Sequence, residues 1–153
     1  MADLTVTRDI LATPSELWTL VSDLPRMGEF SPENQGGAWI KGSTGPAVGA
    51  QFKGNNQNGS KKWSTTAKVT QCEPGKTFGF RVVVGPVKIA DWHYAIADLG
   101  DGTTRVTETW TELRPSIFQK LAKGASGVAD RKAYNLTSME ETLRRIDETV
   151  AKR

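Results

Sequence analysis

The chain is poor in the residues that build most metal and redox sites. Its 153 residues contain one cysteine, Cys72, and one histidine, His93. A lone cysteine excludes an intramolecular disulfide and any multi-cysteine metal site. A lone histidine excludes a two-histidine metal site and weakens any nucleophile–histidine triad. No apolar run approaches the ~18 residues of a membrane-spanning helix. The start, MADLTVTRD, has no basic segment leading into an apolar run, so no secretory leader is expected. Charge of one sign is scarce too: 20 Lys and Arg face 17 Asp and Glu, a net +3. A nucleic-acid-binding domain would cluster a larger excess. These absences predict a soluble, cytoplasmic, single domain without metal or redox cofactor, not bound to nucleic acid. Against them stand five tryptophans and five phenylalanines.

Leu4, Val6 and Ile10 alternate with polar residues, the period of a strand. Thr13-Pro14-Ser15-Glu16 follows with the pattern of a capping box, with proline in the first helical turn. The spacing predicts a helix carrying Leu17, Leu20 and Val21 on one face and ending near Pro25. Residues 26–32 read as a broken second helix or a lid. From Gly36 to Arg114 the chain alternates strand patterns with turns. Strands are predicted over 39–41, 49–56, 62–72, 77–84, 88–97 and 103–113, an antiparallel meander. A short helix is predicted over 115–123, interrupted at 124–127. Val128, Leu136, Met139, Leu143, Ile146 and Val150 then mark a long amphipathic helix. Its charged face, with Arg131, Lys132, Glu140 and Arg144, reads as solvated.

The strands carry two chemically different faces. One phase gives Trp63, Thr65, Ala67 and Val69, then Phe78, Phe80, Val82 and Val84. It continues with Trp92, Tyr94 and Ile96, then Val106, Glu108 and Trp110. The other phase is rich in Thr, Lys and Arg. The apolar face must be covered, and the long C-terminal helix is the only large cover available. A single helix is only about 10–12 Å across, so space is expected between it and the sheet. The aromatics either fill that space as a core or line it as a cavity.

The order strand, capped helix, broken helix, six strands, long helix resembles the helix-grip fold of the START-like, or SRPBCC, superfamily. The helix entry Ala12-Thr13-Pro14-Ser15-Glu16-Leu17-Trp18 is similar to its A-x-P-x-x-V-W pattern. Residues 22–33, SDLPRMGEFSPE, resemble the S-D-L-x-R-x-x-E-W-S-P-E segment of its actinobacterial polyketide cyclase/dehydrase-like branch. GAQFKG at 49–54, DWHY at 91–94, GTTRVTETW at 102–110 and Arg114-Pro115 match further pieces of that branch. The resemblance implies an α+β helix-grip fold in which a curved antiparallel sheet of about seven strands wraps a long C-terminal helix. It also implies an internal cavity for a small hydrophobic or amphipathic molecule such as a lipid, isoprenoid, polyketide or aromatic metabolite. The ligand-binding set on that reading is Trp39, Phe52, Asn56 and Trp63, then Phe80, Val82, Trp92 and Tyr94, and finally Glu108, Trp110, Leu136 and Met139. The protein would act as a monomer or homodimer. The rival reading is a cyclase or dehydratase in which Glu108 or Tyr94 transfers protons.

Glu108 stands out as the one charged residue in the aromatic phase of the four long strands. It is a general base or polar anchor, or else it is one half of a salt bridge. The helix-grip fold places first and last strands side by side, and Arg8 shares the inward phase of Val6 and Ile10. An Arg8–Glu108 pair is therefore expected at least as readily as chemistry. Tyr94 is a ligand donor or an aromatic core residue. Asn56 is expected to open the turn at Asn58-Gly59 rather than meet a ligand at the mouth, and Glu33 to be a solvated loop charge rather than a group facing the mouth. His93, beside Asp91 in the polar phase, is expected to face solvent. Cys72 lacks basic neighbours and reads as an inert thiol. The Gly124–Gly127 stretch lacks the Lys-Ser/Thr ending of a phosphate loop. It reads as the hinge before the gripping helix, and together with 26–32 it is expected to border the cavity entrance.

Overall fold

A computed structural model describes residues 2–153. Seven strands form one antiparallel sheet: β1 (Leu4–Ile10), β2 (Asn34–Ile40), β3 (Gln51–Asn58), β4 (Lys61–Glu73), β5 (Thr77–Val84), β6 (Val87–Asp98) and β7 (Thr104–Glu112). Their spatial order is β1-β7-β6-β5-β4-β3-β2. The meander from β2 to β7 follows from its short turns, and β1 closes the far edge against β7, with Val6 opposite Glu108. Three α-helices are present among the described residues: α1 (Pro14–Ser22), α2 (Ser116–Ser126) and α3 (Arg131–Ala151). This is the α+β helix-grip architecture that the sequence predicts.

Local chemistry sets the elements. Glu16 N–H donates to Thr13 Oγ1 at 3.1 Å, and the Glu16 side chain accepts from the Thr13 backbone, a complete capping box with Pro14 at the first turn. A 3-10 helix, Leu24–Glu29, follows in the segment read as broken. β2 starts at Asn34, well before the predicted strand at Trp39. The glycines hid it, and one of them is required there. At Gly37, with φ of 157°, a Cβ would sit 2.0 Å from the Lys53 carbonyl oxygen. Pairing shifts between Asn34 and Gly37, Val69 and Gln71, and Val82 and Val83 are bulges. Each adds local bend and twist, which curls the sheet around α3.

α2 runs through Gly124 to Ser126 and stops only at Gly127. There a left-handed residue (φ 71°) donates its N–H to Lys123 O. The predicted interruption at 124 is thus a helix end at 127, because a single glycine lowers helix propensity without breaking the ladder. Val128 lies outside α3, buried in the connection. Asp130 caps α3 by accepting from Ala133 N–H at 3.1 Å.

The interior divides along α3. Its second half presents Leu143, Ile146 and Val150 to a solid core with Ile10, Leu17, Val21, Phe30, Phe78 and Val106. Its first half presents Asn135, Ser138 and Thr142, all buried, beside Met139. Those three side chains are too short to reach the sheet, and there the interior stays open.

Candidate functional site

Under the first half of α3 lies a cavity of about 330 Å³, within the range of small-molecule sites. Its walls are the inward phases of β3 to β7, its roof is α3, and Ala122, Ala125 and Ser126 of α2 form one rim. Met27 and Ser31, from the broken segment, border it on another side. The aromatics of the sheet line the space there instead of filling it.

Ten of the twelve predicted residues border this cavity: Phe52, Asn56, Trp63, Phe80, Val82, Trp92, Tyr94, Glu108, Trp110 and Met139. Trp39 does not. It stands opposite Phe52 on the edge strand and packs edge-on against that ring, with centroids 5.4 Å apart. It supports the wall from behind. Leu136 is 38% exposed because the roof face runs through 135, 138, 139 and 142, one position to its side. The polar roof residues Asn135, Ser138 and Thr142 were missed by a search for apolar periodicity. Their spacing of three and four, in step with Met139 and Leu143, is the signal that could have found them.

Glu108 lies at the centre of the chemistry. It is 2% exposed, and Tyr94 Oη donates to its Oε2 at 2.9 Å across the β6–β7 ladder. The expected partner is absent. Arg8 Nε reaches Asp147 Oδ2 on α3 at 2.8 Å instead. Arg8 stands opposite Val106, not Glu108, on the side where the second half of α3 supplies a carboxylate. With no cation to balance it, burial pushes the Glu108 carboxyl up to about 8, opposed only by the Tyr94 hydrogen bond. Burial and the neighbouring carboxylate also raise the Tyr94 hydroxyl well above its ordinary value. At neutral pH Glu108 is therefore mostly a neutral acid. With Oε2 engaged by Tyr94, Oε1 is the oxygen free to offer the acid proton, and it is buried without a hydrogen-bond partner among the described residues.

A polar rim sits at the other end. Arg131 Nη1 donates to both Glu33 oxygens at 2.8 and 2.9 Å and its guanidinium lies 5.3 Å from the Tyr134 ring centroid. Glu33 is thus a cavity-mouth residue clamped to the roof helix, not a solvated loop charge. Asn56 belongs to β3, opposite Trp63, and its Nδ2 donates to Thr65 Oγ1 at 3.2 Å. The turn it was expected to open begins two residues later.

Among the described residues the outer face holds no comparable arrangement. His93 pairs with Gln71 at 2.7 Å, while Asp91 is held by Arg81 through two bonds of 2.7 and 2.9 Å. The apparent His93–Asp91 dyad is therefore not formed. Burial raises the Cys72 thiol above its ordinary value, which disfavours the reactive thiolate.

This architecture is paralleled in sequence. Residues 1–150 match the family described as polyketide cyclase/dehydrase and lipid transport. The chain belongs to that family. A polyketide-cyclase-like protein of Corynebacterium glutamicum, solved by NMR, is 30% identical over 97% of this chain and 90% of its own, with a TM-score of 0.65. The major latex-like protein 151 of Panax ginseng shares the fold at a TM-score of 0.71, with 14% identity and 95% of each chain covered. The di-domain ARO/CYC protein of the steffimycin biosynthetic pathway matches with a TM-score of 0.65 and 13% identity over 95% of this chain and 43% of its own. No curated protein matches the sequence. These solved structures thus share the fold of this chain. Among the described residues, no helix is long and apolar enough to cross a membrane.

Proposed function

We propose that the protein binds a small, mostly apolar molecule bearing one hydrogen-bond acceptor, such as a carbonyl, directed at Glu108. The observation that carries this reading is the unpartnered Oε1 of Glu108 inside an aromatic-walled cavity. A buried hydroxyl without a partner costs roughly 1–3 kcal/mol, and a ligand acceptor recovers it. The aromatic walls supply apolar contact, and the Glu33–Arg131 rim tolerates a polar tail.

Native mass spectrometry of the freshly purified protein tests this. A co-purifying small molecule, released on unfolding, is expected. An environment-sensitive apolar dye should bind the folded protein stoichiometrically and be displaced by flat aromatic ketones more readily than by the corresponding hydrocarbons. Dye binding only on partial unfolding, with no co-purifying mass, would refute it.

A second reading has support in the same pair. A neutral carboxylic acid beside a tyrosine, in a mostly apolar cavity, can protonate a carbonyl oxygen, and the carboxylate it leaves can accept a proton, as a cyclase or dehydratase requires. Under this reading Glu108→Gln abolishes turnover of a polyketide-like substrate while that substrate still binds. Under the carrier reading there is no turnover to abolish.

A further inference from the structure

Helix α2 turns its apolar side away from the protein. Ile117 and Leu121 are 67% and 66% exposed, and Phe118 is 41% exposed. Positions i, i+1 and i+4 form one stripe on a helix. Ser126 is the one buried residue of this helix. A surface helix ordinarily packs such a stripe against its own core, but here the inward side is the small residues Ala122 and Ser126 at the cavity rim.

Charge on α2 itself has one sign, while Asp3, Glu112 and Asp130 line a groove that Gln119 and Lys123 border. α2 contains Lys120 and Lys123, both exposed, and no acidic residue. The β3–β4 turn is tied to the end of α2, since Asn58 Nδ2 donates to Ser126 O at 3.0 Å. That turn brings exposed Lys61 and Lys62 to the same end of the molecule.

We propose that α2 docks on an anionic lipid bilayer. Ile117, Phe118 and Leu121 enter the headgroup boundary, and the lysines meet lipid phosphates. Ala125, four residues after Leu121 and at the cavity rim, then lies beside the membrane surface. An exposed apolar stripe on a helix whose charges are all basic, with Lys61 and Lys62 at the same end of the molecule, is the pattern of an interfacial helix. A protein partner fits less well. Three side chains on an eleven-residue helix fall short of the ~800 Å² per partner of a stable protein interface, whereas a bilayer needs only shallow insertion plus charge. The proposal rests on the outer face of α2 and stands whether or not the cavity holds a ligand.

Flotation of the purified protein with vesicles tests it. Binding is expected to vesicles of phosphatidylcholine mixed with phosphatidylglycerol, to be weak on phosphatidylcholine alone, and to fall as salt is added. Leu121→Glu should abolish it, and Lys120→Ala and Lys123→Ala should each weaken it about five-fold. All three sites are exposed, so melting temperatures should not change. Phe118→Ser should reproduce the loss if Leu121→Glu proves unstable. Absence of flotation on the anionic vesicles at low ionic strength would overturn the proposal, as would undiminished binding by both stripe variants. Self-association abolished by Leu121→Glu, without vesicle binding, would assign the stripe to a second copy of the chain and equally overturn it.

Discussion

Replacing Glu108 by glutamine keeps the side-chain shape and removes its ability to ionise. The folded carboxyl titrates near 8 against an ordinary 4.5. Between those values the folded chain holds a proton that the unfolded chain has released. Stability therefore falls as pH rises through this window, by at most ~1.4 kcal/mol per pH unit, and levels off above it. Glu108→Gln should flatten this slope. Chemical denaturation is expected to show little change at the acid end of the window and a more stable variant at the alkaline end. Had Arg8 been the partner, the same substitution would destabilise the protein at neutral pH. Tyr94→Phe acts in the opposite sense. It leaves both Glu108 oxygens unpartnered and should cost roughly 1–3 kcal/mol throughout the range in which Glu108 is neutral.

At the scale of elements, α1 depends on its start. Thr13→Ala removes the acceptor of the Glu16 N–H. A loss of ~1 kcal/mol is expected, read as a fall of about 2–4 °C in melting temperature for a chain of this size. β3 offers a way to close the cavity without disturbing its frame. Gly54 borders the cavity, and a Cβ there would meet nothing nearer than the Phe52 ring at 3.7 Å. Gly54→Val should therefore fold at unchanged or slightly raised stability, since valine suits a strand. Titration with the apolar dye should show affinity reduced at least several-fold, while vesicle binding by α2 is untouched. α3 combines both roles along one face, open over Asn135 and Ser138 and closed over Leu143 and Ile146.

At the scale of the whole molecule, the cavity is bordered by two segments outside the sheet. Met27 and Ser31 belong to one, and Ala125 and Ser126 to the other. Their backbone bonds are local ones, from Phe30 and Ser31 N–H to Met27 O and from Gly127 N–H to Lys123 O, and opening is expected to be cheapest in such short irregular elements. Hydrogen exchange is expected to be fast in 26–32 and 124–127 and to slow when the apolar dye is added. The β6–β7 ladder should remain protected in both states. Equal exchange in the two segments with and without dye would place the entrance elsewhere.

Period-two alternation in the chain determined the inward side of the long strands, though not of the glycine-containing start of β2. The capping box at Thr13, the Gly and Pro turns and the helical spacing after Val128 likewise determined the order of elements. These are local properties: a pleat, a capped turn and a helical face each follow from neighbours a few residues apart. The same periodicity marked ten of the cavity residues, because wall and core obey one inward phase. Tertiary structure decided what the phase could not. Whether aromatics line or fill depended on the length of the α3 side chains opposite them. The partner of Arg8 depended on where Asp147 of α3 arrives, more than a hundred residues along the chain. Glu33 became a cavity-mouth residue only because Arg131 reaches it, and Trp39 passed behind the wall because β3 lies between it and the cavity. Charge pairing and open volume arise between elements, from distances that no local pattern encodes.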